Sequence, residues 1–218
     1  MLCTLPGGRH IGAGLRMLPS RYAIDYQATL STAREHSAVN IAIALQQDLP
    51  LIWRQAYLRT ITHEPNLVRF RHRTFEYICD LYSQLEMAGS VPYDQTIADR
   101  VIGVFGTSSR AEESRKGRRS KIELSEELEG TQLDDGHFMA RSIGGGLDVN
   151  LFSQERLLNR GWSSQGKIYR RMEKYCREQE GTFCFSRPIY RDGSNVPCWL
   201  EFGVLKNDES LWVEVFDN

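Results

Sequence analysis

The sequence predicts an α+β fold, with a mainly helical N-terminal region followed by a C-terminal antiparallel meander. Two observations carry this. Apolar residues recur at three- and four-residue steps from about Tyr22 to Ala88. The last 40 residues alternate between apolar and polar positions and are broken by clusters of turn formers. In the first region Ala44 with Leu45, Leu51 with Ile52, and Trp53 with Tyr57 follow helical spacing, with Pro50 as punctuation. Phe75, Ile78, Cys79, Tyr82 and Leu85 form a second apolar series, which predicts one amphipathic helix ending near Gly89. Val101-Ile102-Gly103-Val104-Phe105 predicts a strand. At the C-terminus, Thr182–Ser186, Pro197–Phe202 and Leu211–Phe216 predict three strands. Asp192-Gly193-Ser194-Asn195 and Lys206-Asn207-Asp208-Glu209 supply the turns between them. Strands consecutive in sequence pack most simply as a meander with one face buried.

Composition narrows the function classes. Of 218 residues 41% are hydrophobic and 25% charged, which is ordinary for a globular chain with a real core. The net charge is −1, so contact with a polyanion has to come from local basic patches rather than from the whole surface. No apolar run approaches the roughly 18 residues a membrane span needs. Pro6, Gly7, Gly8, Gly12 and Gly14 break up the first twenty residues, so no secretory signal is expected there. The expectation is a cytoplasmic protein, or one exported by a non-classical route. The five cysteines have no CxxC spacing, which argues against a zinc knuckle; Cys184 and Cys198 flank a predicted turn and could meet across a hairpin, but buried free thiols are the expected state.

The chemistry concentrates between Asp134 and Arg177. From Thr107 to Gly130 basic and acidic residues crowd together, including Arg110, Arg118, Arg119 and the Glu126-Glu127-Leu128-Glu129 run, as in a solvated loop. Beyond it comes Leu133-Asp134-Asp135-Gly136-His137-Phe138-Met139-Ala140-Arg141. Here a histidine follows a glycine and is flanked by Asp134 and Asp135, where a carboxylate or a carbonyl can fix its tautomer. Its ordinary pKa is near neutrality, so it can take a proton from water. Ile168, Met172 and Cys176 make an apolar helical stripe, while Tyr169, Glu173 and Arg177 repeat the same step on a neighbouring face. Glu173 and Arg177 at that spacing can form a surface ion pair. Alternatively, Glu173 can hold a hard cation such as Mg²⁺ and Arg177 can grip a phosphate. From Glu155 to Arg177 seven basic residues stand against two acidic ones, a local excess that suits a phosphate backbone.

Taken together, Asp134-Asp135-Gly136-His137, Gly144-Gly145-Gly146, Asn150 with Gln154, Leu158-Asn159 and Tyr169-Arg170-Arg171-Met172-Glu173 resemble the DNA/RNA non-specific endonucleases, which are ββα-metal (His-Me finger) nucleases with many toxin-type members. The resemblance spans about Arg110 to Asn218. It implies a ββα-metal nuclease domain over residues 101–218, with residues 1–100 as a helical region of unknown role. It implies His137 as general base, assisted by Asp134, and Asn159 as the direct Mg²⁺ ligand, with Mn²⁺ able to substitute. Glu173 would help hold the metal and its waters, and Arg177 would stabilise the transition state. Phosphate contacts would come from Arg119 (or its neighbour Arg118), Arg141 and Arg170. Two features depart from the family pattern. Asp135 stands where an arginine is common and is expected to raise the imidazole pKa. The step from Asn159 to the helix is also long, with Tyr169 as its anchor.

The expected activity is hydrolysis of DNA, RNA or both with little sequence specificity. An RNA-selective toxin ribonuclease of the tRNA-cutting kind is one alternative. A degenerate domain that only binds nucleic acid or a partner is another. An inhibitory immunity protein is a further expected partner.

Overall fold

The computed structural model describes residues 18–36, 40–110 and 132–218. The basic and acidic stretch after Arg110, including Arg118 and Arg119, lies outside them. The chain is α+β and is built in three layers around a six-stranded sheet.

Two helices, α1 (Tyr26–His36) and α2 (Ile41–Leu58), form the first layer. The Asn40 side chain accepts from the Ile43 N–H and starts α2, which then runs through Pro50 without ending. Tyr26, Leu30, Leu45, Leu49 and Trp53 point from this pair onto one face of the sheet, against Ile78, Ile102, Phe105 and Phe185.

The sheet is antiparallel throughout, in the order β1 (Leu67–His72), β2 (Phe75–Asp80), β3 (Arg100–Thr107), β6 (Phe183–Ile189), β7 (Trp199–Leu205) and β8 (Leu211–Asp217). The last three strands are the meander that the alternation predicts. The helix expected from Phe75 to Leu85 is instead mostly the β1–β2 hairpin, and only Tyr82–Met87 (α3) is helical. Phe75, Tyr77 and Cys79 fit a two-residue period as well as the wider series fits a helical one. Arg73, with φ 58°, turns the chain between the strands. Because β2 lies between β1 and β3 and is almost wholly buried, tertiary packing decides in favour of the strand.

This hairpin also corrects the expected division at residue 100. That boundary falls at the first residue of β3, whose neighbours in the sheet are β2 and β6. The first hundred residues thus supply a third of the sheet as well as its helical cover, and no separate unit begins at residue 101.

The third layer covers the opposite face. It holds a second hairpin, β4 (Leu133–His137) with β5 (Leu151–Glu155), then the single-turn helix α4 (Arg156–Asn159) and the longer α5 (Ser164–Glu178). Phe138, Met139, Phe152, Tyr169 and Met172 pack here on Phe75, Val104, Phe202 and Phe216. Cys79, Cys176 and Cys184 are buried free thiols, as expected, whereas Cys198 is disulfide-bonded. Among the described residues no helix is long and apolar enough to cross a membrane.

Candidate active site

The strand–strand–helix unit of the third layer holds most of the residues singled out from the sequence. Its first element is the register of β4 and β5, which pairs His137 with Leu151, Gly136 with Phe152 and Asp134 with Gln154. Gly136 is required by close approach. A Cβ there would stand 2.4 Å from both Cβ and Oε1 of Gln154. The residue before His137 is thereby pressed against a fully buried glutamine.

Beyond His137 the chain makes a loop with two 3₁₀ turns, Arg141–Ile143 and Asp148–Asn150, before returning as β5. Asn150 closes it from the inside. The Asn150 carbonyl accepts from Phe138 N at 2.9 Å, and its side chain bonds both backbone groups of Met139 and the Gly146 carbonyl. Tyr169 of α5 donates its hydroxyl to the His137 carbonyl at 3.2 Å, so the strand end is also tied to the helix. These ties fix the backbone of His137 from both sides.

Successive strand residues face opposite ways, so Asp135 shares a face with His137 while Asp134 and Gly136 share the other. Asp134 therefore does not orient the histidine. Its carboxylate accepts from Arg156 Nε at 3.0 Å and Arg160 Nε at 2.7 Å, bracing β4 against α4. Burial works to raise the Asp134 pKa, but hydrogen bonds and charge from Arg160 and Arg156 prevail and hold it below the ordinary carboxylate value.

The imidazole of His137 is half-buried, and its Nε2 is buried with no hydrogen-bond partner among the described residues. Burial pushes its pKa down from 6.5; Arg141 and Arg170 add to this, while Asp135 opposes them. The expected rise from Asp135 is thus outweighed, and the ring is neutral at pH 7. A neutral imidazole with an unengaged nitrogen can accept a proton.

The cations that act on His137 are Arg141 and Arg170, and Arg177 acts on Glu173. Arg141 is exposed at the start of the first 3₁₀ turn, and Arg177 is exposed in the last turn of α5. Neither forms an ion pair among the described residues. The Glu173–Arg177 pair allowed by helical spacing gives way to Arg170–Glu173, with Arg170 Nη1 2.7 Å from Glu173 Oε2. Glu173 is only 7% exposed. Burial raises its pKa above the usual range, against the lowering pull of Arg170 and Arg177.

Asn159 ends α4, and its carbonyl accepts from Arg170 Nη2. Its side-chain amide has no hydrogen bond among the described residues. Arg170 thus links Asn159 and Glu173, acts with Arg141 and Asp135 on the charge of His137, and shares its influence on Glu173 with Arg177, while Asp134 is left to its pairs with Arg156 and Arg160. Arg119 lies outside the described residues. Among these there is no group of three or more His, Cys, Asp or Glu placed to hold a metal. A cation here would rest on few protein oxygens, the Asn159 amide and the Glu173 carboxylate, with water completing its shell. Such hard donors fit Mg²⁺ or Mn²⁺.

No family model matches the chain, and no curated protein matches it. Among solved structures, an Sda1 nuclease with a bound zinc ion is similar over 71% of this chain and 84% of that one, with 12% sequence identity and a TM-score of 0.40. A likeness of that depth assigns neither a family nor an activity to this chain.

Proposed function

We propose that this protein is a metal-dependent endonuclease that hydrolyses phosphodiester bonds of DNA, RNA or both. The observation that carries the reading is His137. It is an imidazole held neutral at the end of a braced hairpin, with a buried nitrogen that has no partner among the described residues and with Arg141 and Arg170 acting on its charge. Neutral histidine is the form that accepts a proton from water, and arginines are suited to a phosphate that carries negative charge throughout the reaction.

In this reading His137 removes a proton from the attacking water. Arg177 and Arg141, both exposed and without ion pairs among the described residues, bind the phosphate oxygens and offset the charge that builds on them. Asn159 and, directly or through water, Glu173 would hold the divalent cation. When bound, that ion supplies Lewis-acid polarisation of the phosphate and the leaving oxygen. Water attack with departure of the 3′-oxygen leaves 5′-phosphate and 3′-hydroxyl ends. No ribose 2′-hydroxyl takes part, so DNA and RNA both qualify as substrates.

The test is cleavage of plasmid DNA, single-stranded DNA and total RNA with Mg²⁺, Mn²⁺ or EDTA, for wild type and His137→Ala. The reading expects cleavage of at least one substrate that EDTA abolishes. It also expects a loss of about 10²-fold or more in the variant, the usual size of a general-base contribution. A variant that keeps more than about a tenth of the wild-type rate refutes His137 as the base.

A further inference from the structure

We propose that Arg170 is a positioning residue that ties the turn carrying Asn159 to the Glu173 carboxylate, and that it is not a contact to substrate phosphate. This rests on the metal-dependent reading above and assigns a residue within its site. Three observations on separate parts of the side chain support it. One arm of the guanidinium, Nη1, donates to Glu173 Oε2 at 2.7 Å. The other arm, Nη2, donates to the Asn159 carbonyl. The aliphatic stem lies on Gly161, where a Cβ would stand 2.8 Å from Arg170 Cγ.

The turn is built to receive that stem. Gly161 has φ +73°, a conformation that glycine adopts without the penalty a side chain brings. The N–H groups of Gly161 and Trp162 close back onto the Leu158 and Leu157 carbonyls, at 3.1 and 2.8 Å. Below the turn, Ser163 caps α5 by accepting from Gly166 N at 2.9 Å. A Cβ on Gly166 would meet the Leu157 carbonyl oxygen at 2.6 Å, so the first turn of α5 abuts the backbone of α4. Arg170 spans this junction. With Nη1 and Nη2 each donating inside the protein, its fork is oriented toward the two residues that would hold the cation. Among the described residues Arg141 and Arg177 have no such internal partners.

The experiment measures Mn²⁺ affinity by titration calorimetry, with the metal alone, for wild type, Arg170→Ala, Arg170→Lys and Gly161→Ala. Steady-state cleavage of DNA is measured in parallel. Loss of a residue that orients a metal ligand typically weakens binding about 10- to 100-fold. All three variants should fall in that range, because lysine keeps the charge but not the two-armed fork, and alanine at 161 displaces the stem. The kcat should fall while KM for DNA stays within about twofold of wild type. A raised KM with unchanged Mn²⁺ affinity shows a phosphate contact and overturns the proposal. So does wild-type Mn²⁺ affinity in Gly161→Ala. If Arg170→Ala does not fold, Arg170→Lys carries the test. If wild type neither cleaves nor binds Mn²⁺, the functional reading fails, and amide exchange then decides the tie. Faster exchange at Gly161 and Trp162 in Arg170→Lys supports it, and unchanged exchange refutes it.

Discussion

Asn150 engages both backbone groups of Met139. Its Oδ1 accepts from the Met139 N–H at 2.9 Å, and its Nδ2 donates to the Met139 carbonyl at 2.8 Å. A second Nδ2 bond, to Gly146 O at 2.9 Å, spans the same loop. The side chain thus acts as an internal rung, holding the two ends of the 138–150 loop in place of strand pairing. Asn150 is fully buried, so these backbone groups have no water to turn to if it is lost.

Asn150→Leu keeps the volume and removes all three bonds. At roughly 1 kcal/mol or more for each orphaned buried group, the loss of stability should be about 3 kcal/mol. Urea denaturation measures it, and a loss under about 1 kcal/mol would show that the loop closes without the amide. Cleavage should fall as well, because the rung begins two residues beyond His137.

Gly136 gives a prediction from shape alone. Alanine there forces its methyl group to within 2.4 Å of Gln154, whose side chain is enclosed and cannot swing away. Overpacking of this kind costs about 1–3 kcal/mol. Gly136→Ala should therefore lower the thermal midpoint and displace His137, with every chemically active group still present. Unchanged stability and activity would mean that β4 and β5 can part at this rung.

The pH dependence follows from the neighbours of His137. Its pKa lies below 6.5, so the acid limb of the cleavage profile should have its midpoint below 6.5. Arg141→Ala removes a charge that lowers the pKa and should move that limb to higher pH. Asp135→Asn removes one that raises it and should move the limb lower. Stability has a matching sign. Between the depressed folded value and the ordinary value near 6.5, the unfolded chain binds a proton that the folded chain refuses. The contribution of His137 to stability is thus full above 6.5 and declines as the pH falls through that window. Titration of the imidazole by NMR in the three proteins checks the order, and a wild-type midpoint above 6.5 contradicts it.

How much of this was legible in the sequence depended on whether local pattern or tertiary packing decided each element. The meander was legible because alternation and turn residues agree from Phe183 to Phe216. The α5 stripe of Met172 and Cys176 was legible for the same reason, since local spacing and burial coincide. The β1–β2 hairpin was not. Phe75, Ile78, Cys79 and Tyr82 satisfy a helical series, and what selects the strand is a place between two partners distant in sequence. His137 and Glu173 stand out in the sequence as titratable groups, but the contacts of Asp134 with Arg156 and Arg160, and of Arg170 with Glu173 and Asn159, do not. Reading 133–137 as a strand would have put Asp135, rather than Asp134, on the His137 face. The partners of Arg170 depend on the fold of the 159–163 turn, which no periodicity marks.

Tyr169 separates what a ring does from what a hydroxyl does. Its ring is 1% exposed and meets Phe202 and Phe216 edge-on, with centroids 5.5 and 5.2 Å away. Its hydroxyl reaches the His137 carbonyl at 3.2 Å. Tyr169→Phe keeps the first set of contacts and removes the second. It should cost about 1 kcal/mol, or roughly 2–4 °C for a domain of this size. Tyr169→Ala empties the core as well and should cost about 3–5 kcal/mol. If the hydroxyl holds the strand end in register, Tyr169→Phe should slow cleavage beyond what so small a loss of stability explains at a temperature where the protein stays folded. A phenylalanine variant with the wild-type rate would show that the Asn150 loop and the Gly136 contact suffice to place His137.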